Sequence, residues 1–170
     1  IVAVPEDWVD VFPEKFKNVR FVQGGKTRSE SSLIALHACS KKTINVLIHD
    51  AARPFISQRL INEIIKKLNK YDAVIPALDC MDSIIKIENN SFHYLDRKKI
   101  KYVQTPQGFN YKLIYSAYNN IQENINVFSD NMSTLISHNP KVNYKFINGE
   151  SSNFKITTIE DIDKAKILLK

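Results

Sequence analysis

Apolar positions along the chain follow two periods in turn. Residues 46–48, Val-Leu-Ile, and residues 73–78 form short runs with little polar interruption, the pattern of strands covered on both faces. Residues 19–22 form a further β-rich run that ends at Gly24-Gly25. Between these runs apolar residues recur every three or four positions. Leu33, Ile34 and Leu36 place a helix over residues 29–39, and Leu60, Ile61, Ile64, Ile65 and Leu68 place an amphipathic one over 57–69. Residues 111–121 and 131–137 also read as helices, and 142–147 alternates like a strand. At the C-terminal end, Thr158 with Asp161 three residues later forms a capping-box pattern. Ile159, Ile162, Ala165 and Leu169 are then the expected buried stripe. Repeated strand–helix alternation predicts one α/β domain over residues 1–170, its sheet mostly parallel and covered by helices on both faces.

Residues 82–105 break the alternation. Ile84-Ile85-Lys86-Ile87 and Phe92-His93-Tyr94-Leu95 flank Glu88-Asn89-Asn90-Ser91. Two β-type runs around an Asn-rich turn predict a hairpin, here an arm projecting from the α/β body. Its exposed edges call for a partner chain to cover them. At the other end, Ile1-Val2-Ala3-Val4 is too short for a signal-peptide core. It reads as the end of a buried strand, so a further segment is expected upstream.

Composition narrows the class. With 170 residues, 44% hydrophobic and 25% charged, the chain can build one core. It has no apolar run of membrane-spanning length. Cys39 and Cys80 cannot build a disulfide framework, and two reduced, buried thiols point to the cytoplasm. The four histidines show no metal-ligand spacing. The net charge of +6 comes from scattered lysines without aromatic interleaving, so a nucleic-acid partner is not expected.

The chemistry concentrates in four segments. In Val46-Leu47-Ile48-His49-Asp50-Ala51-Ala52-Arg53-Pro54 a buried strand runs into Asp50 and Arg53, and strand C-termini are where α/β sheets bind ligands. A carboxylate there can hold Mg²⁺ and a guanidinium can contact phosphate. An Asp–Arg ion pair closing a turn satisfies the same pattern, and these residues alone do not choose between the two. Gly24-Gly25-Lys26-Thr27-Arg28-Ser29-Glu30-Ser31-Ser32 is a glycine turn opening a helix, suited to close ligand approach or simply to a tight turn capped by Ser29. Gln104-Thr105-Pro106-Gln107-Gly108-Phe109 is a rigid turn in which Thr105 could offer a hydroxyl to phosphate. Asn153-Phe154-Lys155-Ile156-Thr157 sets a lysine just ahead of the capped helix.

Taken in order, His-Asp-Ala-Ala-Arg-Pro, Asp-Arg, Thr-Pro-Gln, Ser-Asp and Asn-Phe-Lys-Ile-Thr resemble the 2-C-methyl-D-erythritol 4-phosphate cytidylyltransferase family, from about Gly24-Gly25 to the end of the chain. The resemblance implies a Rossmann-like nucleotidyltransferase that takes CTP, Mg²⁺ and a polyol phosphate and releases pyrophosphate. It also implies a homodimer interlocked through the arm. Asp50 takes the metal side, Arg53 the substrate side, and Lys155 lies by the triphosphate. Gly25 and Ser31 stand where the family holds the cytosine ring. Ser83 stands for the arm hydroxyl. Arg97 and Thr105 reach the methylerythritol phosphate of the other subunit. Ser129 keeps a hydroxyl where the family usually has Thr, and Asn131 stands where a second acidic residue is usual. The family opens with a glycine-rich loop that this sequence does not contain, so the 170-residue piece by itself is expected to be inactive or nearly so. Two other readings stay open: a cytidylyltransferase for another polyol phosphate such as ribitol 5-phosphate, and a non-catalytic relative.

Overall fold

The computed structural model describes residues 1–11, 16–121, 128 and 130–169. In chain order the elements are β1 (Val2–Val4), β2 (Phe21–Gln23), α1 (Arg28–His37), β3 (Asn45–Ile48), α2 (Gln58–Leu68), β4 (Ala73–Asp79), β5 (Ile84–Glu88), β6 (Ser91–Leu95), β7 (Lys101–Val103), β8 (Gln107–Asn110), α3 (Tyr111–Asn120), α4 (Asn131–His138), β9 (Tyr144–Asn148) and α5 (Ile159–Leu168). They fall into two compact units, residues 1–48 with 108–143 and residues 49–107 with 144–170.

In the first unit β1 and β2 pair in parallel, Val2 opposite Phe21 and Val4 opposite Gln23. α1 packs against both strands; Ile1 and Val2 are exposed, and Ala3 and Val4 half-buried. The cap of α1 is Thr27, whose hydroxyl accepts the Glu30 N–H at 3.2 Å. Ser29, the sequence-based candidate, is buried within the first helical turn instead. α3 packs on α1 and α4, burying Leu36, Ile114, Ala117, Tyr118, Met132 and Leu135. Asp130 and Ser133 form a reciprocal capping box at the start of α4. Asn131 is fully buried. Its Oδ1 accepts from the Tyr118 hydroxyl at 2.8 Å and from Arg28 at 3.2 Å. A neutral amide thus accepts both bonds, and burial raises the pKa of Tyr118 beside it.

The second unit is built on β4. Ala73, Val74 and Ile75 have no exposed surface. On one edge β9 runs parallel, Ala73 opposite Tyr144 through Ala77 opposite Asn148. On the other, β7 returns antiparallel with Ala77 opposite Val103. α2 packs on β4 with Leu60, Ile64 and Leu68 inward. Its bounds follow from chemistry legible in the sequence: the Ser57 hydroxyl accepts the Leu60 N–H at 3.0 Å, and Asn69 ends the helix.

The arm is a two-stranded antiparallel hairpin. Asn89 and Asn90 both adopt positive φ, 46° and 64°, as a two-residue hairpin turn of matching twist requires and as asparagine tolerates. Ile85 faces Tyr94 and Ile87 faces Phe92, so these four side chains share one face. Ile87, Phe92 and Tyr94 are 71%, 63% and 70% exposed.

α5 corrects the sequence reading in one respect. Its capping box forms, with Thr158 and Asp161 bonded reciprocally, but of the expected stripe only Ala165 is buried. Ile159 and Leu169 are 76% and 78% exposed. The helix turns its Asp161–Ala165 side inward and carries the isoleucines outward, while the exposed Lys164 lies 4.1 Å from the centroid of the Phe154 ring. Cys80 is buried and Cys39 half-buried, both free. Among the described residues no helix is long and apolar enough to cross a membrane.

Candidate active site

Two segments of the second unit, residues 49–53 and 153–156, are tied together at three points. The Ile156 N–H bonds the Ala52 carbonyl at 2.8 Å. Arg53 donates through NH1 to the Asn153 carbonyl at 2.8 Å. Lys155 Nζ stands 3.3 Å from Asp50 Oδ2, and Arg53 Nε stands 4.0 Å from the same oxygen. The turn itself closes with the Arg53 N–H on the Asp50 carbonyl at 3.0 Å. One carboxylate, one guanidinium and one ammonium expected from the sequence therefore converge. Burial pulls the Arg53 guanidinium below its ordinary pKa, and the charge of Asp50 opposes that shift. Its Nε is buried without a hydrogen-bond partner, whereas the Lys155 side chain is 43% exposed.

The ion-pair reading and the ligand reading of Asp50 and Arg53 thus describe the same geometry. The pair exists, and it leaves a partly exposed cation, Lys155, on the carboxylate. Thr105 reaches the same turn from residue 105. It is buried, its Oγ1 accepts the Asp50 N–H at 2.9 Å, and it lies 3.1 Å from His49 Nδ1. His49 Nε2 is 2.9 Å from the Arg53 carbonyl oxygen.

Beneath this layer Gln104 and Asn153 act as struts, and sequence reasoning missed both. Gln104 donates to the Glu150 and Asn153 carbonyls at 2.9 and 3.1 Å and accepts the Glu150 N–H at 3.0 Å. Asn153, fully buried, donates to the Thr105 carbonyl at 2.8 Å. Gly149 is required by this packing, because a Cβ there would lie 2.4 Å from Gln104 Oε1. Phe154 stacks on Phe55 with centroids 5.5 Å apart, so Lys155 projects from an anchored loop.

In the first unit the glycine turn is closed by its own side chains. The Gly25 N–H bonds Ser31 Oγ at 3.1 Å, Ser31 Oγ donates to the Thr27 carbonyl at 2.9 Å, and the Lys26 N–H bonds Glu30 at 2.7 Å. A Cβ on Gly25 would come within 2.2 Å of the Glu30 Cβ, so only glycine fits. At the root of the arm, Arg97 donates to the Met81 carbonyl at 2.7 Å and Ser83 is exposed. The Arg97 bond thus runs to the backbone of Met81 rather than to Asp50, Arg53 or Lys155. Ser129 lies outside the described residues.

The sequence matches, over residues 1–170, the family described as IspD: 2-C-methyl-D-erythritol 4-phosphate cytidylyltransferase. The chain belongs to this cytidylyltransferase family. Among curated IspD relatives, the bifunctional enzyme IspD/IspF of Pelagibacter ubique is 40% identical over 147 residues, covering 86% of this chain and 38% of its own length. The 2-C-methyl-D-erythritol 4-phosphate cytidylyltransferase of Thermotoga neapolitana is 34% identical across 100% of this chain and 76% of its own. The crystal structure of 4-diphosphocytidyl-2C-methyl-D-erythritol synthase from Anaerococcus prevotii superposes with a TM-score of 0.90 at 31% identity, covering 98% of this chain and 79% of that one. The Rossmann-like α/β class expected from the sequence is the fold of these IspD structures.

Proposed function

We propose that the protein transfers CMP from CTP to 2-C-methyl-D-erythritol 4-phosphate and releases pyrophosphate. The observation that carries this reading is the convergence of Asp50, Arg53 and Lys155 in a chain of the IspD family. A phosphate oxygen of the acceptor attacks the α-phosphorus of CTP, the new P–O bond forms, and the bond to pyrophosphate breaks in line. The attacking oxygen is already anionic, so no general base and no covalent enzyme intermediate are needed. What remains is positioning and neutralisation of charge. Lys155, half-exposed on an anchored loop, can leave Asp50 for a phosphate oxygen. Arg53 holds the turn and keeps positive charge behind it.

Mg²⁺ fits the donor set. Among the described residues no three His, Cys, Asp or Glu side chains cluster to hold an ion unaided. Magnesium commonly uses one or two carboxylates together with substrate phosphates and water, and Asp50 would be that carboxylate. The ion would supply charge neutralisation on the triphosphate. Gly25 and Ser31 form the proposed cytosine-side turn, and Ser83, Arg97 and Ser129 the remaining polar contacts to substrate. The exposed apolar face of the arm, Ile85, Ile87, Phe92 and Tyr94, supports a homodimer in which a second copy covers it, since an isolated two-stranded hairpin is marginal in water. The proposed setting is cytoplasmic.

The test is pyrophosphate release by the complete gene product with CTP, Mg²⁺ and either methylerythritol phosphate or ribitol 5-phosphate. Release that requires methylerythritol phosphate and is lost in Asp50→Ala supports the reading. Release with ribitol 5-phosphate alone replaces the acceptor, and no release with either returns the non-catalytic alternative.

A further inference from the structure

With a neutral His49 ring, the hydrogen positions around it have one consistent solution. The Arg53 carbonyl can only accept, so His49 Nε2, 2.9 Å away, carries a hydrogen. The Asp50 N–H can only donate, and it donates to Thr105 Oγ1 at 2.9 Å. The Thr105 hydroxyl hydrogen is then left for His49 Nδ1 at 3.1 Å, which is a lone pair in a neutral ring protonated at Nε2. The bonds run from the Asp50 amide through the Thr105 hydroxyl and the imidazole to the Arg53 carbonyl. Both ends of the Asp50–Arg53 turn are thereby held by one ring. Thr105 is an anchor from outside the turn, buried and fixed by Asn153 through its carbonyl at 2.8 Å.

We propose that His49, as the neutral Nε2–H tautomer, is a positioning residue that clamps this turn and so sets where Asp50 and Arg53 stand for phosphoryl transfer. The functional half of this proposal rests on the cytidylyltransferase reading, while the clamp itself does not. A ring hydrogen-bonded at both nitrogens resists rotation, and a carboxylate and guanidinium three residues apart inherit that rigidity. Partners that orient groups at a metal or phosphate site typically contribute 10–100-fold to activity.

The experiment has two arms on the complete gene product. Two-bond ¹⁵N–¹H correlation of the His49 ring at alkaline pH reads the tautomer directly. The Nε2–H pattern is expected, together with a shifted Asp50 amide resonance in Thr105→Val. An Nδ1–H ring, or an Asp50 amide unmoved by loss of the Thr105 hydroxyl, overturns the clamp. In the kinetic arm, His49→Ala is expected to lower kcat by about 10–100-fold with a smaller change in KM for CTP. Thr105→Val should fall equally, the double variant no further, and His49→Gln, whose amide can still donate to the Arg53 carbonyl, should recover part of the loss. A folded His49→Ala enzyme with unchanged kcat, or losses that simply multiply in the double variant, overturns the positioning role. A wild-type protein that transfers to no acceptor sinks the transferase reading, and the tautomer and amide shift then decide the clamp without it.

Discussion

Replacing Gln104 with alanine removes three hydrogen bonds from a buried position. The half-buried Glu150 N–H loses its bond to Gln104 Oε1, and leaving such a donor unpaired costs up to about 1–3 kcal/mol. The Glu150 carbonyl keeps the Asn153 N–H at 3.0 Å, and the Asn153 carbonyl keeps Arg53. Their lost bonds cost about 0.5–1.5 kcal/mol each. The expected loss is therefore about 2–6 kcal/mol by the same accounting. Gly149→Ala is expected to destabilise as well, since its Cβ would meet Gln104 Oε1 at 2.4 Å and Gln104 Cδ at 3.1 Å. In the double variant both of those contacts are gone, and the Ala77 carbonyl carbon lies at 3.3 Å. The two losses should fall short of additivity by at least about 1 kcal/mol, within the range seen for residues in contact. Urea unfolding of the wild type, both single variants and the double variant measures this. Additivity within about 0.5 kcal/mol would refute the packing of Gly149 against Gln104.

Four further expectations follow from particular contacts. Thr158→Ala should cost about 1 kcal/mol through the lost cap of α5, measured by the same unfolding assay. The N–H groups of Thr157 and Thr158 and the Thr157 hydroxyl hold the Asp161 carboxyl below its ordinary pKa. Its stabilisation is present above the unfolded carboxyl value of about 3.9 and is lost as pH falls through the lower folded value. Circular dichroism in acid should therefore show α5 loosening in that range, and less of a pH effect in Asp161→Asn. Gly25→Ala, which forces the turn away from Glu30, should raise KM for CTP about tenfold, equivalent to about 1.4 kcal/mol; an unchanged KM would remove the turn from the nucleotide site. Lys155→Met should lower kcat by about 10²–10³ while changing stability by less than about 1 kcal/mol, because a half-exposed ion pair contributes little to folding.

Local chemistry made much of this legible in the sequence. Ser57 and Asn69 bound α2, Thr158 and Asp161 start α5, and paired asparagines turn the arm, because caps and turns act over two to four residues. The strand end carrying Asp50 could be placed once a parallel α/β pattern was recognised. The struts could not. Gln104 reaches Glu150, and Asn153 reaches Thr105, across some fifty positions with no periodic signal between them. The available hint was that Gln104 and Asn153 sit beside the motif residues Thr105 and Lys155 in segments too short to be helices. The exposed stripe of α5 shows the converse: periodicity identifies an apolar face without saying what covers it. Thr105 was recognised as a hydroxyl near the site, but its partners, the Asp50 amide and the His49 ring, depend on a fold that brings residue 105 to residue 50.

The central claim is the transfer of CMP to an acceptor phosphate at the Asp50–Arg53–Lys155 cluster, and ³¹P NMR of the reaction tests it most directly. With CTP, Mg²⁺ and methylerythritol phosphate, the account predicts matched growth of pyrophosphate and of a new pair of coupled diphosphate resonances, abolished in Asp50→Ala. Pyrophosphate growing without the coupled pair, or a coupled pair that persists in Asp50→Ala, would contradict it.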